Sequence, residues 1–191
     1  MMAFSPGAQS KDGDAAARPS LDDFGGMYRA EFAFVFNSLR RLGVARRDLE
    51  DLAHDVFFTA WRRRDSYDPK RPLKPWLFGI AFRVASDFRG LARQDREVSQ
   101  GEDAIDAPDE GRLPDEDLAV QQDRELVLRA LQRIALSRRA VFVLHDLEGQ
   151  TIPDIAASLD VPEGTAYSRL RQARFEFADA VKALRPKGGE R

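Results

Sequence analysis

Tyr167, Ser168, Arg171 and Arg174 recur at i, i+1, i+4 and i+7, the spacing of one helix face, with Arg169 and Gln172 at its margins and Thr165 just ahead. Hydroxyl, amide and guanidinium groups on one face can bond the base edges and phosphates of a DNA major groove. The small residues Gly164, Thr165, Ala166 and Ser168 let a backbone approach such a surface closely. A second cluster is acidic. Asp48, Asp51 and Asp55 fall at i, i+3 and i+7, with His54 alongside. The triple Asp51, His54 and Asp55 could ligate a metal, or the face could meet a basic partner. Helix-dipole stabilisation, with Asp48 as N-cap, accounts for Asp48 and Glu50 but not for Asp55, two turns in. A third group joins a basic, proline-stiffened loop (Lys70, Arg71, Pro72, Leu73, Lys74) to Trp76, Arg83, Ser86, Asp87 and Arg89. Trp76 at the start of a helix reads as a hydrophobic staple, with base stacking as the alternative.

Helices must position all three groups. Ile152, Ile155, Ala156 and Leu159 make one apolar stripe, with Thr151 as N-cap and Pro153 tolerable in the first turn. Asp160 to Glu163 breaks the period. Ala166, Leu170, Ala173 and Phe177 then make a second stripe, opposite the polar face, so two short helices flank a tight turn. A hairpin with a solvated basic face has the same pattern. Upstream, Leu49, Leu52, Ala53, Val56 and Ala60 give a helix over 48–63 an inward face, and Leu77, Ile80, Ala81, Val84 and Phe88 do so for the helix starting at Trp76. Helical spacing also runs from Leu21 to Leu42, stopped by Gly43. Two further helices are expected, over 118–134 and over 137–147 with Ser137 as cap.

The chain has 191 residues, no cysteine and a formal net charge of −2. Disulfides, thiolate metal sites and cysteine nucleophiles are thereby excluded. No apolar run reaches the roughly 18 residues that span a bilayer, and no signal-peptide layout opens the chain, so a cytoplasmic protein without membrane insertion is expected. The charge is uneven. Between Asp95 and Leu118 ten acids face two arginines, and the rest of the chain carries 28 basic and 22 acidic residues. Two mildly basic parts are therefore joined by an acidic strap.

The order DLEDLAHDVFFTAWRR, a basic proline loop, PWLFGIAFRVASDFR, a linker and LSRRAVFVLHDLEGQTIPDIAASLDVPEGTAYSRLRQAR resembles bacterial sigma-70 family initiation factors of the extracytoplasmic-function group. The resemblance implies an all-α fold of two small helical domains, the region 2 bundle and the region 4 helix-turn-helix, joined by a flexible acidic linker. It divides the chain into a disordered tail (1–20), region 2 (21–97), linker (98–117), region 4 (118–184) and a C-terminal tail (185–191). It implies that the chain binds core RNA polymerase and directs promoter-specific initiation, melting the −10 element and reading the −35 element, with no catalytic residue, cofactor or metal.

Residue roles follow from the same resemblance. Asp48, Asp51, His54 and Asp55 would dock on the clamp helices of the polymerase largest subunit; the family's Gln-Glu has become His-Asp here. Arg71, Pro72, Leu73, Lys74, Trp76, Arg83, Ser86, Asp87 and Arg89 would engage the −10 strand, the loop capturing a flipped base and Arg89 a phosphate. Tyr167, Ser168, Arg171 and Gln172 would face −35 bases while Thr165, Arg169 and Arg174 hold phosphates. The family's Leu-Pro-x-x-x-Arg motif is read at Leu136, with Ser137 in place of Pro, and Asp160 stands where the family turn has Gly. The strap would run toward the RNA exit path near the polymerase flap, either imitating RNA or serving as a tether. An anti-sigma protein is a further partner class.

Two other readings compete. A stand-alone helix-turn-helix regulator would need neither the basic proline loop nor the acidic helix face. A metal-dependent hydrolase built on Asp51, His54 and Asp55 lacks a second ligand cluster, His145 being the only other histidine.

Overall fold

The computed structural model describes residues 23–98 and 118–185, which form helices without a strand. Helix α1 (Phe24–Leu42) opens on Asp23, whose carboxylate accepts from the Gly26 amide at 2.8 Å, and closes on Gly43 at φ 91°. The Gly43 and Val44 amides return to Arg40 and Leu39 carbonyls, using a conformation that costs a residue with a Cβ but not glycine. Helix α2 (Leu49–Arg62) follows a 3₁₀ turn, Arg46–Asp48. Helix α3 (Leu73–Val98) follows the proline loop. The three helices pack mutually. Their inward stripes, including Met27, Val35 and Leu39 of α1, Leu52, Val56 and Phe57 of α2, and Leu77, Phe78 and Ala81 of α3, bury almost completely. Glu31 shares the α1 stripe; burial pushes its carboxyl above the usual carboxylate range, against the opposing pull of Lys74.

The second bundle contains α4 (Leu118–Gln132), α5 (Leu136–Phe142), α6 (Ile152–Leu159) and α7 (Glu163–Leu184), with a π turn, Val143–Leu147, extending α5. Long α7 is the axis, packed by α4, α5 and α6. The α6–α7 turn forms as the sequence suggests. Thr151 caps α6 through a 3.4 Å contact from the Asp154 amide and donates to that residue's carboxylate at 2.7 Å. Asp160 takes the left-handed conformation at φ 55°, which short polar side chains tolerate best after glycine.

Three local expectations need correction. Asp48 makes no capping hydrogen bond at α2; it lies in the preceding 3₁₀ turn beside Arg47, at 3.6 Å. Helix α3 begins at Leu73 rather than Trp76, because Pro75 sits in the first turn, where no amide is required. Ser137 does not cap α5. The N-cap is Ala135, at φ −57° and ψ 138°, two residues earlier. The expected start of α1 at Leu21, the tails and the strap over 99–117 lie outside the described residues.

The two bundles also pack on each other: α6 lies on α3, and α4 and α5 lie on α1. Their buried apolar residues form one continuous cluster. The Leu42 carbonyl at the end of α1 accepts from Arg139 of α5 at 2.7 Å and from Arg89 of α3 at 3.2 Å, and Arg41 pairs with Glu148 across the same seam.

Candidate polymerase and promoter interfaces

Burial of Ala166, Leu170 and Ala173 fixes the rotation of α7, and the same rotation exposes Tyr167, Ser168, Arg171 and Gln172. Thr165 and Arg169 are half-buried at the margins, and the Ser168 hydroxyl donates to the Thr165 carbonyl at 2.9 Å. Arg174 is differently placed. Its Nε and Nη2 donate to the two Asp146 oxygens at 2.8 and 2.6 Å, with His145 Nδ1 2.7 Å from the same carboxylate. The hydrogen bond from Arg174 holds the Asp146 carboxyl below the usual carboxylate range, against the opposing effect of burial. Arg174 thus ties α7 to the π turn. Phe175, 73% exposed, extends the face one turn beyond Arg171; the i+4 spacing carried that signal, unread.

The −10 group divides. Arg71, Pro72, Lys74, Arg83, Asp87 and Arg89 are exposed along the loop and one side of α3, and Ser86 is half-buried, donating to the Phe82 carbonyl at 2.7 Å. Lys74 Nζ sits 5.4 Å above the Phe34 ring. Leu73 is only 8% exposed, a core residue of the first turn of α3, so it has no face to offer a flipped base. Trp76 is half-buried against Tyr67, ring centroids 5.1 Å apart, as a staple requires. Arg83 donates to the Gly79 carbonyl at 3.1 Å, and Arg89 reaches Leu42 rather than solvent alone.

On α2, burial of Leu52, Ala53, Val56 and Phe57 leaves Asp51, His54 and Asp55 exposed together. Among the described residues neither Asp51 nor Asp55 is ion-paired, while Asp48 stands apart in its turn. His54 Nε2 lies 3.1 Å from the Tyr28 hydroxyl, its ring parallel to that of Tyr28. Phe58, 62% exposed, and Trp61, 43% exposed, continue this surface toward the end of α2 and were not anticipated. Trp61 rests edge-on against Phe24 with the Arg64 guanidinium over its ring. Among the described residues no three histidine, aspartate or glutamate side chains converge as a metal site, and no helix is long and apolar enough to cross a membrane.

Two family models match the chain in the order of the two bundles: sigma-70 region 2 over residues 27–97 and sigma-70 region 4 over residues 124–174. The RNA polymerase sigma factor NccH of Alcaligenes xylosoxydans xylosoxydans is 26% identical over 170 residues, covering 88% of this chain and 91% of its own. The ECF RNA polymerase sigma-E factor of Escherichia coli K12 is 28% identical over 149 residues, covering 74% and 78%. Among solved structures, the sigma factor RpoE in complex with the anti-sigma factor NepR from Bartonella quintana shares the fold. Its TM-score is 0.61 at 24% identity, covering 86% of this chain and 99% of that one. The chain therefore belongs to the extracytoplasmic-function group of the sigma-70 family and directs promoter-specific transcription as a subunit of RNA polymerase, not as a stand-alone regulator.

Proposed function

We propose that this sigma factor divides its work among three exposed faces. The acidic face of α2, Asp51 and Asp55 with His54 between them, docks on the clamp helices of the polymerase largest subunit. Arg71 and Pro72 of the loop, with Lys74, Arg83, Ser86 and Asp87 of α3, take the melted −10 strand. Arg171, Gln172, Tyr167 and Ser168 of α7 read −35 bases, with Arg169 and Thr165 on phosphates. The factor works in the cytoplasm by binding, without catalysis, and an anti-sigma protein of the class seen with RpoE is a natural regulator. Residues 1–20, 98–117 and 185–191 stand as tails and linker around regions 2 and 4.

The observation that carries the docking assignment is the pair Asp51 and Asp55. Both are exposed and four residues apart, and neither is used for capping or for an internal ion pair. Asp51 lies in the first turn of α2, where the helix dipole favours an acid, but Asp55 lies beyond it, and an exposed acidic pair of this kind suits a basic partner and makes association salt-sensitive. The double variant Asp51→Lys, Asp55→Lys should keep the wild-type circular dichroism spectrum and lose co-purification with core polymerase. Wild-type retention by the folded variant would refute the docking face and leave the family assignment intact.

A further inference from the structure

Arg174 flanks the polar face of α7, and its guanidinium is gripped from one side only. Nε and Nη2 donate to the two Asp146 oxygens at 2.8 and 2.6 Å, which uses the side edge of the planar group. A guanidinium carries five N–H donors, so its outer edge, Nη1 with the second Nη2 hydrogen, is left over. Among the described residues no group bonds Nη1. His145 Nδ1 comes within 3.4 Å of Nη2 but does not accept from it. The same nitrogen lies 2.7 Å from Asp146 Oδ1, and a carboxylate kept ionised by Arg174 can only accept, so the imidazole proton is assigned to Nδ1. Arg174 therefore has a free fork on a side chain that is 53% exposed, backed by a carboxylate that is 22% exposed.

This contact is not what seats α7. Phe142 of α5 packs on Phe177 with ring centroids 4.8 Å apart, Arg138 pairs with Glu176 at 2.8 Å, and Ala166, Leu170 and Ala173 are buried along the helix. Ion pairs open to solvent add little to stability. What Asp146 fixes is direction. It belongs to the π turn Val143–Leu147, whose Val143 and Leu144 are fully buried, so the carboxylate has a rigid base. The Glu148 amide returns to the Val143 carbonyl at 3.0 Å, the i to i+5 bond that widens this turn. Helical period puts Arg174 beyond the Tyr167 edge of the polar face of α7, and Thr165 and Arg169 beyond its Gln172 edge. A helix lying in a major groove meets base edges along its centre and phosphates along its flanks.

We propose that Asp146 is a positioning residue for promoter binding, which aims the outer edge of the Arg174 guanidinium at a phosphate of the −35 duplex. A planar fork meets a tetrahedral oxyanion with two parallel N–H···O bonds, which lysine cannot make. A free arginine must lose rotamer freedom when it binds; one already held by a carboxylate has lost it in the fold. The same carboxylate places a negative charge near DNA phosphates. By charge alone, removing Asp146 would tighten DNA binding, whereas positioning requires that it weaken. The assignment rests on the −35 role proposed for α7, and Arg171 tests that role separately.

Holoenzyme assembled with saturating core polymerase is titrated, at several salt concentrations, onto the promoter duplex it enriches from a random library. Arg174→Ala should weaken binding to all −35 sequences alike and lower the salt slope by about one. Asp146→Asn keeps the shape and removes the charge, and it should weaken binding about 2- to 10-fold, the effect of having to order one freed long side chain. In the Arg174→Ala background the same change should leave binding unchanged or tighten it, a reversal that a purely structural carboxylate would not show. Arg174→Lys tests the same point with Asp146 intact: it keeps the charge but offers no second edge, and should fall with Arg174→Ala. Equal or tighter binding by Asp146→Asn alone, equal weakening by it with Arg174 absent, or wild-type binding by Arg174→Lys would overturn the assignment. If Arg171→Ala then relaxes −35 preference, only the Asp146–Arg174 clamp falls; if it leaves preference intact, the reading role of α7 is what fails.

Discussion

Arg171 and Arg174 lie three residues apart on α7, yet the structure gives them different work. Arg171 is exposed among Tyr167, Ser168 and Gln172, whereas Arg174 is held by both oxygens of Asp146. The exposed set was legible because helical period fixes which residues oppose the Ala166–Leu170–Ala173 stripe. The partner of Arg174 was not, since Asp146 comes from another element and no local rule brings it near. Arg171→Ala should weaken −35 binding by about 1–3 kcal/mol and relax preference at one base position. Arg169→Ala should weaken all promoters alike and lower the salt slope by about one. A promoter library assayed at several salt concentrations distinguishes them, and identical behaviour would collapse the base and phosphate roles into one.

At the scale of elements, the apolar stripes were read well and the helix starts less so. Stripes integrate many residues, while a start hangs on one or two. Pro75 looks like a loop residue in sequence but sits in the first turn of α3, which draws Leu73 into the core. Ser137 looks like a cap by residue type, but the chain turns at Ala135, two residues earlier, setting Arg139 to bond the Gln132 and Ile134 carbonyls. The correction at Leu73 has a measurable consequence. Leu73→Ala should destabilise the protein by about 2–5 kcal/mol, the cost of emptying a buried leucine site. Chemical denaturation measures it. A stability change near zero combined with a melting defect would return Leu73 to the DNA.

For the whole molecule, the helices of both bundles were visible in their apolar period, and their order followed from the family resemblance. The packing of the bundles against each other was not visible. It depends on a backbone approach at Gly79 and Ser158 and on two arginines meeting at one carbonyl, neither of which leaves a periodic trace. The acids of α2 are exposed in this arrangement, and so is the polar face of α7, which puts the proposed docking and recognition surfaces on separate bundles. The most direct test is transcription in vitro from a randomised promoter library with purified core polymerase, with and without this protein. Starts that appear only when it is added, from templates sharing one −35 and one −10 sequence at fixed spacing, are predicted. Library-wide starts unchanged by its addition, together with tight sequence-specific duplex binding by the protein alone, would contradict the account.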